Sequence, residues 1–112
     1  MDIKNIDFDV KEVEEMVGMF QNCYSLINLN LSQFNTTKVT SIDFMFSDCH
    51  NLENLSLDTF NTLSCNSFNN TFDNCTKLEV TLNPDYCINL YPHIPEYVHI
   101  KNITNDIGNF DF

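Results

Sequence analysis

The sequence contains no arginine, and its five lysines face sixteen acidic residues in a chain of 112 residues. The formal net charge is −11. Such a charge repels nucleic acid and anionic membranes, and it favours a protein partner with a basic surface. It also promotes solubility, so the charge alone does not identify a partner.

Glycine is scarce as well, with Gly18 and Gly108 as the two examples. A phosphate-binding loop needs closely spaced glycines, which this sequence does not offer. The acidic residues are spread along the chain, whereas a catalytic site needs titratable groups that converge in a cleft. The sequence therefore predicts no enzymatic activity, no catalytic residues and no cofactor.

Long apolar runs are also missing. A helix that crosses a bilayer needs about 20 apolar residues, and no stretch approaches that length. The N-terminal sequence MDIKNIDFDVKE is acidic and has neither the basic start nor the apolar run of a secretory signal. We therefore expect an intracellular, cytoplasmic protein without a membrane span, and a surface location only if an export signal precedes this sequence.

The chain does contain a repeat with a period of 26 residues. Three residue types recur in register: Phe20, Phe46 and Phe72, then Cys23, Cys49 and Cys75, then Leu26, Leu52 and Leu78. A period of this length indicates one supersecondary unit that is copied along an axis and buries its apolar face against its neighbours. We call residues 13–38, 39–64 and 65–90 the first, second and third segments.

The segments form a single predicted domain with a cap at each end. Residues 1–12 are the expected N-terminal cap, in which Ile3 and Phe8 stand 26 positions before Leu29 and Phe34. The third segment loses one residue after Leu78, and prolines then interrupt the pattern, so residues 91–112 are the expected C-terminal cap. A strand-like run covers 97–103. An uncovered edge strand at either end of the sheet could pair with a second copy of the chain and form a homodimer.

The hydrophobic spacing changes once within each segment. Apolar residues in 13–23 and 39–49 recur every three or four positions, which predicts a short helix of about three turns. Leu29-Asn-Leu31 and Leu55-Ser-Leu57 then alternate with period two, which predicts strands with one buried face. Stacked segments would align these strands in parallel. A return turn follows, with Phe34, Phe60 and Tyr86 as an expected inward column.

The five cysteines are predicted to be free and to face the core. Cys23, Cys49 and Cys75 end the predicted helices, and Cys65 occupies the position of Val13 and Val39. A free cysteine packs as a small hydrophobe, and an odd number without close pairs argues against a disulfide framework. No Cys-x-x-Cys pair occurs, so a metal site is not expected. A site at Cys49 with its neighbour His50 is the less favoured alternative.

The pattern Val-x-x-Met-x-x-Met-Phe-x-x-Cys-x-x-Leu-x-x-Leu-x-Leu-Ser-x-Phe-Asn-Thr, read from Val13, resembles the BspA-like class of leucine-rich repeats. The resemblance covers residues 13–90. It implies an α/β fold: a short right-handed leucine-rich-repeat solenoid with parallel strands on the concave face, short helices on the convex face, and a role in protein binding.

The outward face of the predicted sheet is the candidate binding surface. If the alternating leucines point inward, the intervening polar residues must point outward. These residues are Asn28, Asn30, Ser32, Asn54, Ser56, Asp58, Glu79, Thr81 and Asn83. We therefore expect a protein-binding module or assembly scaffold that uses this face.

Two other functions remain open. The acidic charge also suits an inhibitor that imitates nucleic acid and blocks a basic enzyme. A small adhesin-type surface module is the third hypothesis. The opposite side of the predicted solenoid, with Asp43 and Asp48, is an alternative contact surface.

Overall fold

A computed structural model describes residues 1–3 and 9–103. Within them, five strands form one parallel sheet in the order of the sequence, which makes the fold of the α/β type. The strands are β1 (Asp2–Ile3), β2 (Asn28–Asn30), β3 (Asn54–Leu57), β4 (Glu79–Leu82) and β5 (His99–Asn102). The described helices are α1 (Pro84–Cys87) and a 3₁₀ turn (Tyr91–His93). Neither is long and apolar enough to cross a membrane.

The register of the sheet follows the repeat in the sequence. Leu29 pairs with Leu55, and Leu55 pairs with Val80. The second of these steps is one residue shorter, as the deletion after Leu78 predicts. The parallel arrangement and the placement of Val80 are thus confirmed. Strands β2, β3 and β4 direct their leucine or valine side chains into the core, since Leu29, Leu55 and Val80 are buried.

The short helices predicted for 13–23 and 39–49 are wrong. Both stretches consist of successive turns. Their backbone N–H groups donate to the next segment rather than within a helix: Gly18 N bonds to Asp43 O at 2.8 Å and Phe20 N to Met45 O at 2.8 Å. We call residues 13–25, 39–51 and 65–77 the turn side of the molecule, and the strands the sheet side.

Left-handed residues explain why no helix forms. Gly18, Phe44 and Asn70 have φ of 64°, 59° and 55°, and Asn22, Asp48 and Asn74 each have φ of 63°. A right-handed helix requires negative φ at every position. The apolar spacing resembled that of a helix because tight turns also repeat every three residues, as in the bond from Met45 N to Ile42 O at 3.1 Å.

Stacked phenylalanine rings form the centre of the core. Phe46 lies between Phe20 and Phe72, with ring centroids 5.9 and 5.6 Å away and nearly parallel planes. Phe34 and Phe60 form a second stack at 6.5 Å. The prediction that Tyr86 continues this second stack is wrong, because Tyr86 is exposed. Helix α1 begins after Asn83 and contains Tyr86, so the 26-residue spacing is interrupted at this position.

Cysteine thiols line the core beside the rings. Cys49, Cys65, Cys75 and Cys87 are buried, as predicted, whereas Cys23 is half-buried. Cys49 Sγ donates to Phe20 O at 3.1 Å and Cys75 Sγ to Phe46 O at 3.0 Å. Each thiol therefore connects its own segment to the preceding one.

The C-terminal end replaces this thiol contact with a tyrosine. Tyr97 Oη donates to Phe72 O at 3.1 Å and accepts a bond from Asn74 N at 3.0 Å. Strand β5 follows within the predicted strand-like run. Phe8 of the predicted N-terminal cap and residues 104–112 of the predicted C-terminal cap lie outside the described residues.

Candidate binding surface

Eight of the nine predicted face residues are at least partly accessible. Asn54 is exposed, and the following are half-buried: Asn28, Asn30, Ser32, Ser56, Asp58, Glu79 and Thr81. Asn83 is the exception and corrects the prediction, because it is fully buried. It caps the N-terminus of α1, where its side-chain Oδ1 accepts a bond from Asp85 N at 2.9 Å.

The accessible residues form two rows across the strands. The first row contains Asp2, Asn28, Asn54, Glu79 and His99 in pairing register. Asn28 Nδ2 donates to Asp2 Oδ1 at 2.8 Å, and Asn54 Nδ2 donates to Asn28 Oδ1 at 2.6 Å. These bonds fix the orientation of the amides, because both asparagines donate through Nδ2 and Asn28 accepts through Oδ1. We call Asp2, Asn28 and Asn54 the amide ladder.

The second row contains Asn30, Ser56, Thr81 and Lys101. Asn30 Oδ1 accepts a bond from Ser32 N at 2.9 Å, which holds its side chain at the end of β2. We call the two rows together the polar sheet face. Its centre consists of neutral amides and hydroxyls.

Charge lies at the two ends of the polar sheet face. Asp2 stands at one edge, and at the other edge His99 Nδ1 lies 3.4 Å from Glu79 Oε2, with Lys101 one row away. Asp2, His99 and Lys101 were not predicted from the sequence. Asp2 had a signal, since it precedes Asn28 by one period of 26. His99 had no such signal in the sequence, because α1 and the 3₁₀ turn make the interval from β4 to β5 shorter than the repeat.

Asp58 is less available to a partner than its neighbours. Among the described residues, its Oδ1 is shielded from solvent and finds no hydrogen-bond partner, and the same holds for Nδ2 of Asn83 in the third segment. An unpaired acceptor and an unpaired donor therefore occupy corresponding positions after β3 and β4. We accordingly centre the candidate site on the two rows rather than on Asp58.

Two carboxylates of the turn side, those of Asp43 and Asp48, are engaged within the molecule. Ser67 Oγ donates to Asp43 Oδ1 at 2.7 Å, and Asn69 N donates to the same atom at 2.7 Å. Burial alone would raise the pKa of Asp43, but the hydrogen bonds from Ser67 and Asn69 outweigh it and hold the pKa below its usual value. Asp48 Oδ1 similarly accepts a bond from Asn74 Nδ2 at 2.5 Å.

The part of the chain that the structure describes contains no arrangement of side chains that could hold a metal ion. No three His, Cys, Asp or Glu residues among positions 1–3 and 9–103 are grouped to hold an ion. The buried thiols are poor ligands, because burial raises the pKa of Cys49 to about 11 and that of Cys75 to about 12. A metal would require the thiolate form.

Fold and surface together define a small parallel-sheet protein with a polar face. A family model described as "Mycoplasma protein of unknown function, DUF285" matches residues 1–91, and the chain belongs to this family. Comparisons with curated proteins and with solved structures give no match.

Proposed function

We propose that the protein is a leucine-rich-repeat solenoid of the BspA-like class and that it binds another protein through the polar sheet face. The 26-residue register between β2 and β3 supports the repeat architecture, as does the association of the DUF285 family with BspA-like repeat proteins. In this proposal the protein has no enzymatic activity and acts as a binding module or scaffold. Repeat proteins of this kind commonly bind through an extended face of the stack.

The ordered amide ladder is the observation on which the proposal depends. Asp2, Asn28 and Asn54 are joined by side-chain hydrogen bonds, so their orientations are fixed before a partner arrives. Preorganised side chains lose little conformational entropy on binding. Five strands at about 4.8 Å spacing span roughly 20 Å, which suits a folded protein surface.

The partner should be recognised mainly by hydrogen bonds and shape. The central face residues Asn30, Asn54, Ser56 and Thr81 are uncharged, so most of the specific contacts are insensitive to salt. The net charge of −11 adds a long-range attraction for a basic surface. We expect this attraction to affect association rate more than affinity.

A second candidate is supported by the acidic stretch that joins the predicted N-terminal cap to the first segment. Glu12, Glu14 and Glu15 are exposed and close in sequence. An inhibitor that imitates nucleic acid would bind a basic enzyme through such carboxylates. Its affinity would then fall steeply as salt screens the charges.

The test compares two triple variants of matched size. The sheet-face variant carries Asn54→Ala, Ser56→Ala and Thr81→Ala, and the acidic-segment variant carries Glu12→Gln, Glu14→Gln and Glu15→Gln. Both are compared with the unmodified protein, first in capture from the native source and then in affinity measurements on the purified captured protein at 50 mM and 500 mM salt.

We expect the sheet-face variant to lose at least about tenfold in affinity, equivalent to about 1.4 kcal/mol, while the acidic-segment variant binds almost normally. Salt should weaken binding only modestly. The opposite pattern, with strong salt dependence and a loss confined to the acidic-segment variant, would reject the proposal in favour of the acidic inhibitor.

A further inference from the structure

A groove lies beside the return turns of the first two segments, just beyond β2 and β3. The described residues that line it include Gln33, Asn35, Thr37, Thr59, Asn61 and Tyr86. Its volume is about 450 Å³, which falls within the range of about 300 to 1,000 Å³ typical of small-molecule sites. Ser32 also lines it, but the two rows of the polar sheet face do not. The groove is therefore a separate candidate site.

The lining of the groove is neutral. None of its eight described lining residues carries a charged side chain, although the protein has a net charge of −11. A phosphate or carboxylate would find no cation there, and a basic peptide would find no carboxylate. Because a charge removed from water needs a partner, the groove favours an uncharged polar ligand.

Two asparagines present amide donors in a fixed orientation. Asn35 Oδ1 accepts bonds from Thr37 N at 3.2 Å and Thr37 Oγ1 at 2.8 Å. Asn61 Oδ1 accepts a bond from Leu63 N at 2.9 Å. Since these bonds use the oxygens, the Nδ2 groups are the atoms of both side chains that are left to donate to a ligand.

The backbone of the turns offers little to a peptide. The N–H groups of Thr37 and Leu63 donate to the asparagine side chains, and Asn61 N donates to Thr36 Oγ1 at 2.9 Å. Recognition of an extended peptide by strand addition needs unpaired backbone groups. Side chains therefore provide most of the ligand contacts in this groove.

Tyr86 adds an aromatic surface to these donors. It belongs to α1 and is 40% exposed, and its backbone oxygen accepts a bond from Thr62 N at 2.9 Å, which anchors the residue. A tyrosine ring offers a flat apolar face with a polar tip. This pairing of an apolar ring with amide and hydroxyl groups matches a sugar, which has a C–H face and hydroxyl groups around its rim.

We propose that the groove binds a neutral carbohydrate. One sugar ring packs its C–H face on Tyr86, and its hydroxyls accept hydrogen bonds from Nδ2 of Asn35 and Asn61. Thr37 and Thr59 border the same space. This site goes beyond the protein-binding role of the polar sheet face and does not depend on it.

The test uses the absence of tryptophan from the sequence. Tyr86→Trp keeps an aromatic face and introduces a single fluorescent reporter in the groove, and Tyr24→Trp places the same reporter beside His50, on which Tyr24 stacks at 5.3 Å. The unmodified protein is screened on a glycan array of neutral, sialylated and sulfated glycans. The best neutral glycan from the array is then titrated into both variants, with an uncharged Ser/Asn/Gln peptide as competitor.

We expect neutral glycans to bind and to change the emission of Tyr86→Trp but not that of Tyr24→Trp. Tyr86→Ala should lower affinity at least about tenfold, and Tyr86→Phe should stay within about twofold. Asn61→Asp keeps the acceptor for Leu63 N but removes the donor, so it should also weaken binding. Circular dichroism checks that each variant is folded.

Several results would overturn the proposal. They are the absence of any bound neutral glycan on the array, equal or better binding of charged glycans, unchanged affinity in Tyr86→Ala, and displacement of the glycan by the peptide at similar concentration.

Discussion

The sheet side and the turn side of the second segment use the same 26-residue repeat in different ways. On the sheet side, β3 pairs with β2 and with β4. On the turn side, every second N–H points toward the third segment: Ile42, Phe44, Phe46 and Asp48 donate to Ser67, Asn69, Thr71 and Asp73. From Ile42 to Asp48 these donors thus point in one direction along the stack, whereas Thr40 N donates in the other direction, to Glu14 O at 2.7 Å.

This difference shows how backbone conformation sets hydrogen bonding between stacked segments. Extended residues in a strand alternate the direction of successive N–H groups, so a strand bonds to both neighbours. On the turn side, left-handed residues such as Phe44 and Asp48 occur among the donors of this one-directional series. A side of the molecule without regular secondary structure is therefore also joined to its neighbours by backbone hydrogen bonds.

The largest expected effect comes from removing a central side chain on each side. Phe46→Ala on the turn side should lower the free energy of unfolding by about 3 to 5 kcal/mol, and Leu55→Ala on the sheet side by about 2 to 5 kcal/mol. Both residues are buried, and Phe46 contacts two other rings. Urea unfolding should show one transition in each variant. Separate transitions for the two sides would mean that they fold independently.

Alkaline pH should weaken the turn side through its thiols. Burial raises the pKa of Cys49 to about 11 and that of Cys75 to about 12, whereas an unfolded thiol has a pKa of about 8.5. Their contribution is fully present below the unfolded pKa and is lost as pH rises through the folded values. The free energy of unfolding should therefore fall between pH 9 and pH 11. Cys49→Ala should reduce this slope, and an unchanged slope would contradict the assignment.

Gly18, Phe44 and Asn70 occupy equivalent left-handed positions in the three segments. Substitutions at these positions test the turn conformation directly. A left-handed conformation costs a residue with a Cβ about 1 to 2 kcal/mol relative to glycine. Gly18→Ala should accordingly destabilise by about 1 kcal/mol, while Asn70→Gly, at the exposed left-handed residue two segments further on, should be close to neutral because little packing is lost there. An added Cβ at Gly18 would lie 3.0 Å from Gln21 Oε1, the mobile end of a side chain. Thermal midpoints measure both changes, and a stabilising Gly18→Ala would disprove the left-handed turn.

The smallest expected effect concerns the end of the turn side. Tyr97→Phe removes the hydroxyl that bonds to Phe72 O and Asn74 N, at a cost of about 1 kcal/mol. Hydrogen exchange should become faster at Asn74, while β4 stays protected. Tyr24→Phe, which alters another exposed tyrosine on the turn side, is the matched control and should leave exchange unchanged. Equal effects from both variants would show that the Tyr97 hydroxyl has no special role.

The candidate site was predictable from strand alternation up to the end of β4. Asn28, Asn54 and Ser56 are in pairing register as the repeat requires. The prediction was wrong at Asn83, where the chain leaves the strand and the side chain caps α1. Local turn chemistry overrode alternation there, because the first N–H groups of a helix need an acceptor. The groove at Tyr86 was missed for the same reason, since the repeat placed this ring in the core.

The sequence by itself determined the period, the parallel order of the strands and the core columns that contain Phe46 and Leu52, but not the column to which it assigned Tyr86. These follow from identical apolar residues at equal spacing, which bury their side chains only when equivalent positions stack. Only the tertiary structure decided that 13–23 and 39–49 form turns rather than helices. Spacings of three and four residues suit both, and the choice depends on whether N–H groups bond within the segment or to the next one. That partner exists only once the segments have stacked.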